Sequence, residues 1–273
     1  MIKKYFILLI ALCFFLCPSF SQAKCDNFCS ILKKNKKSFV ETSIILEDNL
    51  NCWRGNLRLN LAICPKHKIK SKASGISIGT DQKSNQSLIL TAGHVCKDDV
   101  VERGIELNIN MTLQVATLEG GTYFLTSKPY IDPKYDLCYF FVSGIIPPVK
   151  IAKRNPVWGE TYSILANPRG YFEPKGKKTD GILLSFLGVY GGNADFQNAR
   201  VDFYSAPIST GSSGGSVFND DGEIVGIIFA KDANFSHIAL VVPLDVLQNL
   251  NIKKILKSPK EIIPPIFSNE LLK

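Results

Sequence analysis

Histidine is scarce in this chain. His67, His94 and His237 are the only three, so chemistry that needs an imidazole has few places to come from. Acidic side chains are outnumbered, 24 against 32 lysines and arginines, for a formal charge of +8. That balance would suit nucleic acid or an anionic surface. Helix-turn-helix, RNP and zinc-finger patterns are all missing, which leaves a solvated basic surface and no nucleic-acid partner. Cys64 and His67 have ligand-like spacing, but no second pair completes a zinc site, and neither a metal nor an organic cofactor is expected. Apolar runs of the ~20 residues needed to cross a bilayer are lacking as well. The longest, Tyr5 to about Cys17, follows Lys3 and Lys4 and precedes Ser21-Gln22-Ala23, a small-x-small cleavage pattern. It reads as a secretory signal peptide over 1–23, an uncleaved anchor being the alternative. Removal of the peptide leaves no stable membrane insertion and lowers the charge from +8 by two lysines to +6.

What is present fits an exported globular chain, periplasmic or extracellular. With 45% hydrophobic and 21% charged residues it can bury a large core. Export implies an oxidising compartment, so the cysteines read as disulfides. Four of the six that follow the signal (Cys25, Cys29, Cys52 and Cys64) lie in a lysine-rich extension over 24–72. Two disulfides are expected there, stapling a piece too small for its own core. Asp26–Val40 has a helix-like mix of apolar and lysine residues. The extension is read as a propeptide, a clamp or a partner-binding arm.

From Ala73 the pattern becomes short strands separated by turn signals. Gly75–Gly79 and Ser87–Thr91 flank a polar loop. Thr112–Leu118, Thr122–Ser127 and Asp136–Val142 follow, and a Pro-Pro connector (Pro147-Pro148) leads on. A second set runs through Glu160–Leu165, Gly181–Tyr190, Arg200–Ala206, Ser216–Asn219, Glu223–Phe229 and Ile238–Val242, with Gly191-Gly192 as a turn. Pro243 and Asp245 open a helix over Val246–Leu250, and a proline-bearing tail fills 251–273.

Three segments carry chemistry. Gly211-Ser-Ser-Gly-Gly-Ser216 cannot build a core, yet it lies between strands. Glycines let the backbone approach a ligand, and a serine in such a turn presents its hydroxyl beside backbone N–H groups, as acyl transfer requires. Leu88-Ile-Leu-Thr-Ala-Gly-His94 ends an apolar strand in a small-residue turn and a histidine. Asp132-Pro-Lys-Tyr-Asp136-Leu places a carboxylate at the head of an apolar strand. Each alone is compatible with an ordinary turn. All three occur in the order His, Asp, Ser, at separations of 136 − 94 = 42 and 213 − 136 = 77 residues. G-x-S-x-G also describes the α/β-hydrolase elbow, but a hairpin pattern at Asp221-Gly222, not a helix, follows Ser213.

With these residues in hand, the sequence resembles the chymotrypsin-like serine proteases, which carry TA[AG]H, D[LI]xxL and GxSGG in that order. Phe140 replaces the usual leucine of the second motif. Gly211–Ile228 and Ala239-Leu-Val-Val-Pro243-Leu-Asp are most similar to the bacterial branch that holds the Deg/HtrA proteases and glutamyl endopeptidases, here without a PDZ domain. The resemblance covers about 73–250 and implies an all-β fold of two six-stranded antiparallel barrels, with a C-terminal helix and the small N-terminal extension. It implies a triad of His94, Asp136 and Ser213, an oxyanion hole from the N–H groups of Gly211 and Ser213, and a polypeptide substrate. Asp132 and Ser212 are the alternatives for acid and nucleophile. Counted along the resemblance, the primary pocket takes Pro207, Ile208, Phe229, Ala230, Lys231 and His237. Pro207 stands where an acidic residue gives trypsin its preference, so cleavage after Lys or Arg is not expected. Lys231 and His237 would favour acidic side chains, and Phe229 an apolar one. If His94 and Asp136 are within hydrogen-bond reach, Cys96 and Cys138, each two residues further on, can form a disulfide; two buried free thiols are the alternative. A catalytically silent homologue that serves as an adaptor is the second functional reading.

Overall fold

The structure is a computed structural model that describes residues 18–48, 68–97, 109–176, 179–235 and 237–257. Cys52, Cys64, His67 and the tail beyond Lys257 lie outside these residues, as do most of the expected signal peptide and the side chain of Cys25. The expected pairing in the extension therefore falls there too.

Two antiparallel β units form the body, joined by a shared apolar layer. The first has seven strands: β1 (Phe39–Asp48), β2 (Lys68–Asp81), β3 (Gln86–Ala92), β4 (Ile109–Thr117), β5 (Thr122–Phe124), β6 (Tyr130–Asp132) and β7 (Leu137–Ser143). Their order is β5-β4-β1-β2-β3-β7-β6. This sheet curls until Leu125 bridges Val142 and the Thr126 N–H reaches the Phe141 carbonyl at 2.8 Å. It is a half-barrel of seven strands drawn together at one bridge, and with the closed barrel of the second unit it agrees with the expected all-β double-barrel fold.

The extension contributes a strand to this sheet. β1 belongs to 24–72 in sequence, yet it pairs with β2 from Phe39↔Ile76 to Glu47↔Lys68 and with β4 from Val40↔Thr117 to Asp48↔Ile109. Without it, β2 and β4 would each present a row of unpaired backbone groups. The extension thus does not stand apart from the fold. It completes the first sheet, and β2 starts at Lys68, ahead of the expected boundary at Ala73. The helix before it, α1 (Pro18–Asn35), stops where the expected helix over Asp26–Val40 continued. It packs on the second unit, with Ile31 in the shared core and Asn35 Nδ2 donating to the Gly222 carbonyl at 3.0 Å.

The second unit is a closed six-stranded barrel of β8 (Thr161–Ala166), β9 (Leu184–Phe196), β10 (Ala199–Ser205), β11 (Ser216–Phe218), β12 (Ile224–Lys231) and β13 (Ile238–Val242). Gly191-Gly192, expected as a turn, lies inside β9. The β9–β10 register shifts there, with Gly192 opposite Phe203 and Tyr190 opposite Tyr204. One extra residue on β9 makes this a bulge. The chain reverses instead at Gln197-Asn198, both at positive φ (49° and 67°), the backbone that a tight hairpin turn demands. A short helix α2 (Leu244–Gln248) follows as expected, and a further one, α3 (Ile252–Lys257), lays Ile252 and Leu256 over Gly79 of β2.

Apolar alternation explains the cores. Ile76, Ile78, Leu88, Leu90 and Phe141 of the first sheet meet Leu165, Phe218, Ile224 and Val242 of the second barrel in one buried cluster. The second barrel's own interior holds Tyr162, Tyr190 and Tyr204 packed against one another. Asp202 is buried beside them at 1% exposure, and the Tyr190 hydroxyl donates to it at 3.3 Å.

Candidate active site

His94, Asp136 and Ser213 meet where the two units face each other. β3 ends at Ala92, and a single 3-10 turn over Gly93–Val95 turns His94 outward. A side chain on Gly93 would reach Asp136 at 2.7 Å, so a glycine is required before the histidine. The Gly93 N–H in turn donates to the Asp136 carbonyl at 2.6 Å. Asp136 sits just ahead of β7 at φ +49°, a backbone that costs a non-glycine residue of order 1 kcal/mol and is held by these contacts.

The carboxylate uses both oxygens on the histidine. Oδ1 accepts the His94 backbone N–H and Oδ2 faces Nδ1, both at 2.6 Å. That fixes the tautomer: Nδ1 carries the proton toward the carboxylate, and Nε2 presents a lone pair. Nε2 lies 3.0 Å from Ser213 Oγ. A hydroxyl bonded to a basic nitrogen, which is itself oriented by a carboxylate, is the geometry of an activated nucleophile.

The alternatives have other occupations. Asp132 closes a turn by accepting the N–H groups of Lys134 and Tyr135 at 2.9 and 3.3 Å. Ser212 is fully buried, and its hydroxyl accepts the Ser209 N–H at 3.2 Å.

The loop that bears Ser213 is held by carbonyls. Thr210 O accepts the Arg169 N–H at 2.6 Å and Ser212 O accepts the Gly215 N–H at 2.8 Å. In a trans peptide the N–H points away from its carbonyl, so these two bonds turn the N–H groups of Gly211 and Ser213 away from Arg169 and Gly215 respectively. Neither has a hydrogen-bond partner among the described residues. Gly211 and Gly214 hold φ of +93° and +83°. A Cβ on Gly214 would overlap both Ser74 O and Thr91 Oγ1. Ser74 lies under the whole loop: its N–H donates to Ser213 O at 2.8 Å and its hydroxyl to Gly211 O at 2.9 Å. Thr91 Oγ1 donates to Ser74 O at 2.7 Å, tying the loop's support to the strand that delivers His94. Sequence reasoning did not single out Ser74 or Thr91; a serine among apolar strand neighbours was the available signal.

Cys96 and Cys138 are joined by a disulfide, with Cα atoms 6.4 Å apart. It connects the turn after His94 to β7, whose first residue follows Asp136. The expected pocket residues divide. Ile208 is buried in the second barrel's core and Pro207 is exposed. Phe229 falls at the bulge in β12 and packs on Ala73, Ala92 and Val95, beneath the histidine turn. Ala230 is half-buried, while Lys231 and His237 are exposed. Among the described residues no cluster of His, Cys, Asp or Glu could hold a metal ion, and no helix is long and apolar enough to cross a membrane.

Comparison with known proteins agrees with this architecture. Residues 73–227 match the family described as the trypsin-like peptidase domain. Among solved structures, the chain is similar to the Rv3671c protease of M. tuberculosis in its active form, with a TM-score of 0.53, 15% identity and 78% of each chain covered. It is also similar to an inactive serine-to-alanine mutant of that protease, with a TM-score of 0.52 and 15% identity, over 84% of this chain and 92% of that one. No curated protein matches the sequence.

Proposed function

The chain belongs to the trypsin-like peptidase family and is a serine endopeptidase; from that premise we propose that it is exported and cleaves polypeptides through an acyl-enzyme on Ser213. His94 is the general base, and Asp136 orients and stabilises its imidazolium. The observation that carries the reading is the continuous line from Asp136 Oδ2 through the His94 ring to Ser213 Oγ, at 2.6 and 3.0 Å.

Ser213 Oγ attacks the peptide carbonyl carbon while its proton passes to His94 Nε2. The N–H groups of Gly211 and Ser213 receive the negative charge that develops on the carbonyl oxygen. The C–N bond breaks, and the leaving amine takes the proton from Nε2. Water then repeats the sequence on the ester: His94 removes its proton, the tetrahedral adduct collapses, and Ser213 recovers its hydrogen. The signal-like N-terminus and the Cys96–Cys138 disulfide support action in an oxidising compartment.

A fluorophosphonate probe tests the assignment. It should label the wild-type protein at Ser213 and leave Ser213→Ala and His94→Ala unlabelled, with both variants folded. Because the groups act as a unit, the two changes should cost similarly large factors in turnover. Labelling that survives in Ser213→Ala would overturn the nucleophile. A folded wild-type protein that takes no label would favour the adaptor reading.

A further inference from the structure

A buried polar network runs from the first sheet to the peptide that presents the Gly211 N–H. Its root is Glu41 on β1, a carboxylate at 3% exposure. Glu41 Oε2 pairs with Lys72 Nζ at 2.9 Å and accepts Asn167 Nδ2 at 3.0 Å, and Oε1 accepts the Ser43 hydroxyl at 3.2 Å. Asn167, fully buried at the end of β8, is thereby fixed in orientation. Its Oδ1 accepts the Phe172 N–H at 2.6 Å and its carbonyl accepts the Gly170 N–H at 3.1 Å. These bonds shape the turn Asn167–Phe172. Lys72 Nζ, 3.4 Å from the Gly170 carbonyl, holds the same turn from its other side.

The turn has one outlet toward the site. Arg169, at φ +57°, directs its N–H to Thr210 O at 2.6 Å. That contact sets the plane of the Thr210–Gly211 peptide and hence the direction of the Gly211 N–H. The next peptide is set by Ser74, whose hydroxyl donates to Gly211 O and also accepts the Asn167 N–H at 2.8 Å, so the same serine holds the residue that heads the turn. A Cβ on Gly211 would lie within contact of the Asn167 carbonyl, so loop and turn touch with no room for a side chain between them. Both peptides around Gly211 are therefore oriented by groups that reach no substrate.

The residue before the nucleophile, Ser212, brings no charge to this task. A buried carboxylate with a lysine partner is costly to keep; here it holds Asn167 and, through the turn that Asn167 heads, the Arg169 N–H that meets Thr210 O.

We propose that Glu41 and Ser74 are positioning residues for the oxyanion-binding peptide Thr210–Gly211, acting through Asn167 and Arg169. This rests on the acyl-transfer reading above. Losing one oxyanion donor outright costs about 10²–10³ in kcat in a comparable site. A donor that is present but released from its orientation should cost about tenfold to a hundredfold.

The test uses p-nitrophenyl acetate hydrolysis, inhibition by phenylboronic acid and thermal unfolding on the full protein. Ser74→Ala keeps volume and removes only the hydroxyl. Glu41→Gln keeps one acceptor and removes the charge, so it gives a second route if Ser74→Ala does not fold. The expected result is a fall of about tenfold or more in kcat, with KM within about twofold. Boronic acid affinity should drop in parallel with kcat, because the boronate oxygen occupies the oxyanion position. Glu41→Ala, which leaves Asn167 without an acceptor, should lose more than Glu41→Gln. Full kcat in folded Ser74→Ala or Glu41→Gln overturns the proposal, as does a loss confined to KM or to thermal stability. If wild-type protein is not labelled by fluorophosphonate at Ser213, the acyl-transfer reading itself fails, an outcome separate from these.

Discussion

Asp202 should make this protein less stable as the pH rises, the reverse of the usual behaviour of a carboxylate. Burial in the second barrel pushes its pKa from 3.8 up to about 6, with Asp245 adding to the rise and the Tyr190 hydroxyl and Arg200 offsetting part of it. The folded state therefore holds the proton more tightly than the unfolded chain. The stabilisation is fully present below about pH 4 and is lost as the pH passes through about 6. A shift of about two units at 1.36 kcal/mol each corresponds to about 3 kcal/mol, of which about 2–3 kcal/mol falls between pH 4 and pH 8. Asp202→Asn mimics the protonated acid at every pH and keeps an acceptor for Tyr190. Urea unfolding of the Ser213→Ala protein, with and without Asp202→Asn, would measure this without self-digestion. The difference in unfolding free energy, Asn variant minus parent, should rise by about 2–3 kcal/mol from pH 4 to pH 8. Parallel pH profiles for the two proteins would refute the account, because a neutral isostere can leave the profile unchanged only if the carboxyl titrates alike folded and unfolded.

Four further outcomes follow from the site. Gly214→Ala places a methyl against Ser74 O at φ +83°, so fluorophosphonate labelling should fall by at least a hundredfold even in protein that still folds; normal labelling would contradict the packing. Cys96→Ala together with Cys138→Ala opens a loop of 42 residues, which should cost about 3–4 kcal/mol in denaturant unfolding under oxidising conditions. Peptide mapping without reductant should recover the Cys96–Cys138 crosslink, and a free thiol at either position would count against it. A proteome-derived peptide library should show no strong cleavage after Lys or Arg, since Pro207 brings no negative charge; dominant tryptic cleavage would refute that.

The meeting of His94, Asp136 and Ser213 was legible because each sits where a local signal is strong: small residues before His94, a carboxylate heading an apolar strand, glycines around Ser213. Those signals are short-range and survive in a single sequence. β1 was not legible, since Phe39–Asp48 has too little alternation to separate it from the lysine-rich helix before it, and its partners lie on strands well downstream. Gly191-Gly192 misled because glycine serves bulges as well as turns, and only pairing with β10 decides between them. The Glu41–Asn167–Ser74 network left no pattern at all. Its members are 33 to 126 residues apart, and each alone is an ordinary polar residue. Asn167-Pro168-Arg169-Gly170 did carry a turn signal, and its link to the Thr210 carbonyl emerges only from the fold.

His94 and Asp136 hang from the first unit, and Ser213 from the second. On the proposed function, a chain that has folded only as far as β7 already owns a base and its acid, but nothing for them to activate. The nucleophile, 119 positions beyond the histidine, takes its place only when Ser74 closes on the loop from across the boundary. Synthesis proceeds in that same direction, from the histidine toward the serine. On that proposed function the chain cannot cut while it is unfinished, because the three groups meet only once the two units face each other.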